Sequence, residues 1–298
     1  MQQYQPLVPA REEFTTIRGV EHRVLHWGPT GAPRLFLLHG FQDCADTFQF
    51  LVDALPRDLH CIAPDWRGFG GSGHNAGPYW FPDYLADLEG LLGKFAAGEA
   101  VTLVGHSMGG NIAALYAGIR PQRVRRLVSI EGFGLPRTAI EQTPEHYARW
   151  LDQLCKGVEQ SRYESAAQLA ALLQRRNQRL PATVAAFVAA AWTRPDASGG
   201  VLLRFDPWHR LVNPVRYRRD EAEACWRRAQ APALLLLGGQ SEYRRHLERD
   251  SGVDEVARFA ACLPHIEVRD FPALGHMMHH EDAAAVAGII EDWLQRHP

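Results

Sequence analysis

Gly105-His106-Ser107-Met108-Gly109 encloses a serine between two glycines, at the point where the apolar run 101–104 stops and the helical periodicity of 111–120 begins. A strand that turns straight into a helix leaves little room for a Cβ on either side of the turn, and it holds the central side chain clear of the backbone. Serine is a weak nucleophile until a base takes its proton. That base is expected at His276, in Gly275-His276 after the last strand-like run, so that serine comes first and histidine last in the chain. A carboxylate must then receive the imidazole's other N–H, set its tautomer and stabilise the imidazolium. Glu131, directly after the apolar run 127–130, is the preferred acid, with Glu242 and then Asp270 as alternatives. Such a trio attacks an acyl carbon and passes through an acyl-enzyme.

Acyl transfer also needs donors for the developing oxyanion. The free amides at the start of a helix favour negative charge, which designates the Met108 amide. The loop His39-Gly40-Phe41 designates the Phe41 amide as its partner, with His39 organising the loop. His279 and His280 crowd the vicinity of His276, but their spacing forms no tetrahedral ligand set, and they read as surface histidines. No metal and no other cofactor is expected.

These groups need a scaffold whose strand ends meet at one edge. Apolar runs at 21–27, 35–38, 61–63, 101–104, 127–130, 233–237 and 266–268 alternate with helical patterns at 84–96, 111–120 and 282–296. That alternation predicts an α/β fold: a mostly parallel central sheet flanked by helices on both faces. Residues 135–228 are too many for a crossover and carry helical patterns at 145–157, 163–176 and 181–192. They predict a helical cap inserted into a core made of 1–134 and 229–298, with Leu169, Leu172, Leu173 and Phe187 on its apolar face. Arg175, Arg176 and Arg179, and later Arg216, Arg218 and Arg219, read as solvated faces paired with neighbours such as Asp220, Glu221 and Glu223. Contact with an anionic substrate is the other reading of these arginines.

The 298 residues carry 32 basic and 34 acidic side chains, a formal net charge of −2, so no long-range field draws the chain to nucleic acid. No apolar run approaches the roughly 20 residues that cross a bilayer, so no transmembrane segment is expected. The first residues lack the basic start and apolar run of a secretory signal. Five cysteines show neither close pairs nor repeated spacing, which argues against a disulfide framework and for a reducing cytoplasm. The expected partner is a small molecule; assembly into a homo-oligomer is compatible with the sequence.

The chain resembles the α/β-hydrolase superfamily and, more narrowly, its capped serine hydrolase-like branch. The resemblance is carried by HGFQD (39–43), DWRGFGGS (65–72), YWFPDYLADL (79–88), GHSMGG (105–110), EGFGLPR (131–137) and the late GH (275–276). It implies a serine hydrolase acting on a small or medium-sized, partly apolar carboxylic ester. Thioesterase, lactonase and C–C hydrolase activities are neighbouring alternatives, and a noncatalytic protein that binds an apolar ligand is the competing class. Many members place the acid after the penultimate strand, where LLLLGGQS (234–241) puts Ser241 instead. The departure is consistent with an acid moved to Glu131, and the similar haloalkane dehalogenases in some cases carry glutamate there, with aspartate as their nucleophile. The resemblance further implies that Trp66, Tyr79, Trp80 and Phe81 shape the entrance to the site; packing of cap on core is the alternative role.

Overall fold

The continuous apolar runs become strands buried on both faces, as period-two side chains require when helices cover a sheet twice. In β3 (Arg34–Leu38), Phe36 and Leu38 face one core while Leu35 and Leu37 face the other. The computed structural model describes residues 4–31 and 34–298. Before β3 lie β1 (Arg11–Ile17) and β2 (Val20–Trp27), and after it α1 (Gln49–Ala54), β4 (His60–Pro64) and α2 (Phe81–Phe95). Next come β5 (Val101–His106), α3 (Met108–Ile119) and β6 (Val124–Ile130).

Beyond β6 the chain leaves the sheet. This excursion holds α4 (Thr143–Lys156), β7 (Arg162–Tyr163), α5 (Ala166–Arg176), α6 (Ala182–Trp192), β8 (Thr193–Pro195), β9 (Val201–Leu203) and α7 (Arg219–Trp226). The chain returns as β10 (Ala233–Gly238), followed by α8 (Glu242–Ser251), α9 (Glu255–Ala260), β11 (Ile266–Phe271), α10 (Met278–Glu281) and α11 (Ala283–Arg296). The eight-stranded sheet runs β1-β2-β4-β3-β5-β6-β10-β11. From β4 to β11 every pairing is parallel, and β1 and β2 are antiparallel at one edge. The core against α2 and α3 continues into the excursion through Leu169, Val184 and Phe205, and the opposite core collects Leu51, Ile290 and Trp293. No described helix is long and apolar enough to cross a membrane.

Several short helices, among them α1, α8 and α9, were not expected, and two features depart from the expected strands. β1 has no counterpart among the predicted strands because its residues are mostly exposed, so the sequence REEFTTI carries no apolar alternation. It is secured by a two-residue turn, Arg18 at φ 51° and Gly19 at φ 77°, the positive-φ pair that matches hairpin twist. The excursion is not purely helical: β7, β9 and β8 form a small antiparallel sheet. Tyr163, expected in a helix, lies in β7, because Ser165 starts α5 by accepting from Gln168 N at 3.2 Å while Gln168 Oε1 accepts from Glu164 N at 3.0 Å.

The candidate active site

Parallel strands end together, so the residues that follow β3, β5, β6, β10 and β11 gather at one edge of the sheet. Register places Leu38 opposite Gly105, His106 opposite Ile130 and Ile130 opposite Leu236. Ser107, Glu131 and the loops carrying Gly40, Ser241 and His276 therefore share one neighbourhood.

Ser107 stands at φ 51°, ψ −114°, a conformation that costs on the order of 1–3 kcal/mol for a residue with a Cβ. Flanking bonds hold it there: its N–H donates to Ile130 O at 2.8 Å, and its carbonyl accepts from Asn111 N at 3.0 Å as α3 begins. The adjoining glycines are required by contact. A Cβ on Gly105 would lie 2.4 Å from the Gly109 carbonyl, and one on Gly109 would lie 2.0 Å from Leu38 O. Among the described residues the Ser107 hydroxyl has no hydrogen-bonding partner; catalytic bonds commonly tighten only with substrate in place. Met108 opens α3, so its N–H has no acceptor within the helix. Gly40 comes so close that a Cβ on it would meet the Ser107 Cβ at 3.3 Å, which brings the Phe41 amide into the same region.

Glu131 also has a positive φ, 57°, at the first position past β6. Its N–H bonds Leu236 O at 2.9 Å, tying the turn to β10. The side chain is fully buried, not exposed as the end of a strand suggests. Oε1 accepts from Gly238 N at 2.6 Å, and Oε2 accepts from the Ser241 hydroxyl and lies 3.1 Å from His276 Nδ1. Ser241 thus stands where an acid was sought, and its hydroxyl donates to Glu131, the expected acid. A carboxylate only accepts, so the proton of the pair sits on Nδ1 and leaves Nε2 as the basic nitrogen. Glu242 is exposed at the start of α8, and Asp270 bonds Arg244 at the surface.

Behind the site lies a group that the sequence did not disclose. His106 is buried, and its Nε2 is 3.0 Å from the His276 carbonyl, which can only accept. The residue before Ser107 thereby anchors the His276 backbone. His279 and His280, expected at the surface, are buried instead, because α10 turns them inward against Phe48 and Phe50. Burial, and then neighbouring imidazoles, hold the pKa values of His106 and His279 well below the ordinary histidine range. Asp43, His106 and His279 bring ligating atoms within 4.8 Å of one another, as do Cys44, Asp46 and Asp65. In the second group Arg23 already bonds both carboxylates and supplies the positive charge a metal would bring. In the first, Asp43 is the sole anion.

His39 organises its loop: Nδ1 donates to Gly40 O at 2.8 Å and Nε2 accepts from Trp66 N at 2.9 Å. Trp66 is completely buried, with its indole N–H on His39 O. Tyr79 is buried and donates to Asp206 Oδ2 at 2.8 Å, joining α2's approach loop to the excursion. Trp80 and Phe81 are half-buried at the start of α2. None of these four lines the pocket of about 280 Å³ that Phe41 and Gln42 help to line. Its wall comes from Tyr163, Leu169, Leu173, Trp192, Leu203 and Phe205, residues of the excursion. A larger hollow of about 590 Å³, at Pro121, Ala229 and His265, precedes β6, β10 and β11 and so lies at the opposite edge. Ligands of open α/β sheets bind beyond the carboxyl ends of strands, which favours the smaller pocket.

A strained serine between a strand and a helix, with a carboxylate-bound imidazole at the same sheet edge, defines a class. Residues 33–283 match the α/β hydrolase fold family, and the chain belongs to it. Over most of its length it is similar to the serine hydrolase-like protein of Danio rerio, at 24% identity over 284 residues, 90% of this chain and 83% of that one. It is also 25% identical over 304 residues to cis-3-alkyl-4-alkyloxetan-2-one decarboxylase of Shewanella oneidensis, 93% of this chain and 86% of that one. Among solved structures, the thioesterase domain from the curacin biosynthetic pathway superposes with a TM-score of 0.80 at 23% identity, covering 95% of this chain and 99% of that domain.

Proposed function

We propose that the protein is a serine hydrolase of carboxylic esters with a short, partly apolar acyl group, working through Ser107, His276 and Glu131 under a cap formed by residues 135–228. The observation that carries the proposal is the 3.1 Å contact between His276 Nδ1 and a buried Glu131 carboxylate. With Nδ1 protonated, Nε2 takes the Ser107 proton as Oγ bonds to the carbonyl carbon. The carbonyl π electrons move onto oxygen, where the Met108 and Phe41 amides stabilise the charge. Collapse expels the alcohol, which leaves with the proton from Nε2. Water then attacks the acyl-enzyme by the same route and releases the acid. Sequence, strain and similarity to serine hydrolase-like proteins all support this order of events, and it requires no cofactor.

Similarity to a thioesterase domain and to an oxetan-2-one decarboxylase makes thioesters and four-membered lactones the first neighbours to assay. The test is covalent labelling. A fluorophosphonate should modify Ser107 in the folded protein, and 4-nitrophenyl butyrate should give a burst of nitrophenol, both lost in Ser107→Ala. Folded wild-type protein that resists the label and gives no turnover on any ester, thioester or lactone would overturn the proposal in favour of a noncatalytic binder.

A further inference from the structure

The 280 Å³ pocket has a charge pattern that a purely apolar acyl group leaves unused. Two arginines line it from separate elements, Arg176 at the end of α5 and Arg204 just past β9. Among the described residues Arg176 has no hydrogen-bonding or ionic partner, and Arg204 uses only Nε, donating to Thr193 O at 3.0 Å. Nearby Arg179, by contrast, is paired with Glu281 at 2.8 Å. The one carboxylate in the lining, Asp43, commits its Oδ1 to Trp192 Nε1, Thr47 Oγ1 and Cys44 N. Asp46, close by, is bound by Arg23. The terminal nitrogens of both arginines make no hydrogen bond among the described residues, although the charge of Arg204 acts on Asp46, and a planar guanidinium fork matches a carboxylate in bidentate fashion.

Phe41, whose amide is the proposed oxyanion donor, belongs to the lining, and Leu169, Leu173, Leu203 and Phe205 make its wall apolar. A volume of 280 Å³ is about nine times the ~30 Å³ that a water occupies in the liquid, so it accommodates a short chain. Resting on the hydrolase reading above, we infer that the acyl group ends in a carboxylate, its methylenes against the apolar wall and its terminal oxygens shared by Arg176 and Arg204. The substrates are then monoesters or monothioesters of short dicarboxylic acids.

The experiment compares 4-nitrophenyl hydrogen glutarate with the same ester methylated at its far carboxyl, using wild type, Arg176→Gln, Arg204→Gln and the double variant. The wild type should favour the charged ester by about 10-fold or more in kcat/KM at low salt, the scale of a charge-assisted hydrogen bond worth about 1.4 kcal/mol. Higher ionic strength should reduce that preference. In the double variant the ratio of the two esters should collapse to about one, with an unchanged unfolding midpoint. No preference in the wild type, or a preference that survives the double substitution, overturns the inference. If neither ester turns over and the fluorophosphonate does not label Ser107, the hydrolase reading has failed separately. Calorimetric titration with glutarate then decides the anion site alone: binding lost in the double variant supports it, and no binding to wild type ends it.

Discussion

Glu131 is a carboxylate enclosed by donors: a backbone N–H from Gly238, the Ser241 hydroxyl and the His276 imidazole. Glutamine in its place brings an NH2 group against one of those donors and removes the charge that balances an imidazolium. Glu131→Gln is expected to lower acylation on the order of 10⁴-fold, the scale known for loss of a triad carboxylate, while costing about 1–3 kcal/mol of stability. Glu242→Gln should leave acylation near wild type, since Glu242 is exposed. Stopped-flow acylation of both folded variants checks the pair, and the reverse ranking would move the acid to α8. The sequence singles out Ser107, His276 and Glu131 as candidates because a glycine-flanked turn and the ends of apolar runs are local patterns. It did not reveal that Glu131 is buried or that Ser241 bonds it, since both follow from β6 lying beside β10.

The junctions between elements depend on close backbone approach. α3 passes so near β3 that any side chain at Gly109 strikes the Leu38 carbonyl oxygen. Gly109→Ala should therefore lower stability by about 1–3 kcal/mol or more through overpacking against rigid backbone, read as a lower urea midpoint. An unchanged midpoint would mean that the helix can slide. At the other junction, the Tyr79 hydroxyl donates to Asp206 and accepts from Asn75 N at 3.0 Å, while its ring stacks on His209 with centroids 3.6 Å apart. Tyr79→Phe keeps the stack and leaves buried polar groups short of a partner, for about 1–3 kcal/mol. Limited proteolysis should then cut between β9 and α7 earlier than in wild type, with cleavage inside the eight-stranded sheet unchanged. Tyr79 was expected either to shape the entrance or to pack the cap on the core; its bond to Asp206 is of the second kind, and that partner, 127 residues away, could not be read locally.

The whole molecule encloses many neutral histidines, and this makes its stability depend on acid. Burial lowers the pKa of His26, His39 and His60 to about 4 and that of His280 to about 3, from 6.5. As pH falls below 6.5 the unfolded chain takes up these protons and the folded chain does not, so stability drops until pH approaches 4. Asp43 and Asp65 act in the opposite sense. Burial raises both to about 6 from 3.8, so between those values the folded chain binds their protons more readily. The lowered histidines outnumber the raised aspartates, since burial also depresses His22, His106, His209 and His279, and between pH 6.5 and 6 only the histidines act. The thermal midpoint should therefore be lower at pH 5 than at pH 7, and a midpoint that rises on acidification would contradict the enclosure of these rings.

The sequence carried the kind of fold, most of its sheet strands and the candidates for nucleophile, base and acid. Each is encoded within a few residues: buried parallel strands demand unbroken apolar runs, and a strand-to-helix turn this tight demands glycines. Only the tertiary structure decided what surrounds them. It turned His279 and His280 inward, placed His106 under the backbone of the base, put Trp66 in the core and built the pocket from Trp192, Leu203 and Phe205. The pocket depends on how the excursion after β6 docks over the sheet edge, and the inward histidines on how the chain after β11 packs against His106, Phe48 and Phe50. Docking joins residues more than a hundred positions apart through contacts that carry no local periodicity, so the chain's patterns could announce a cap but not which of its side chains meet the site.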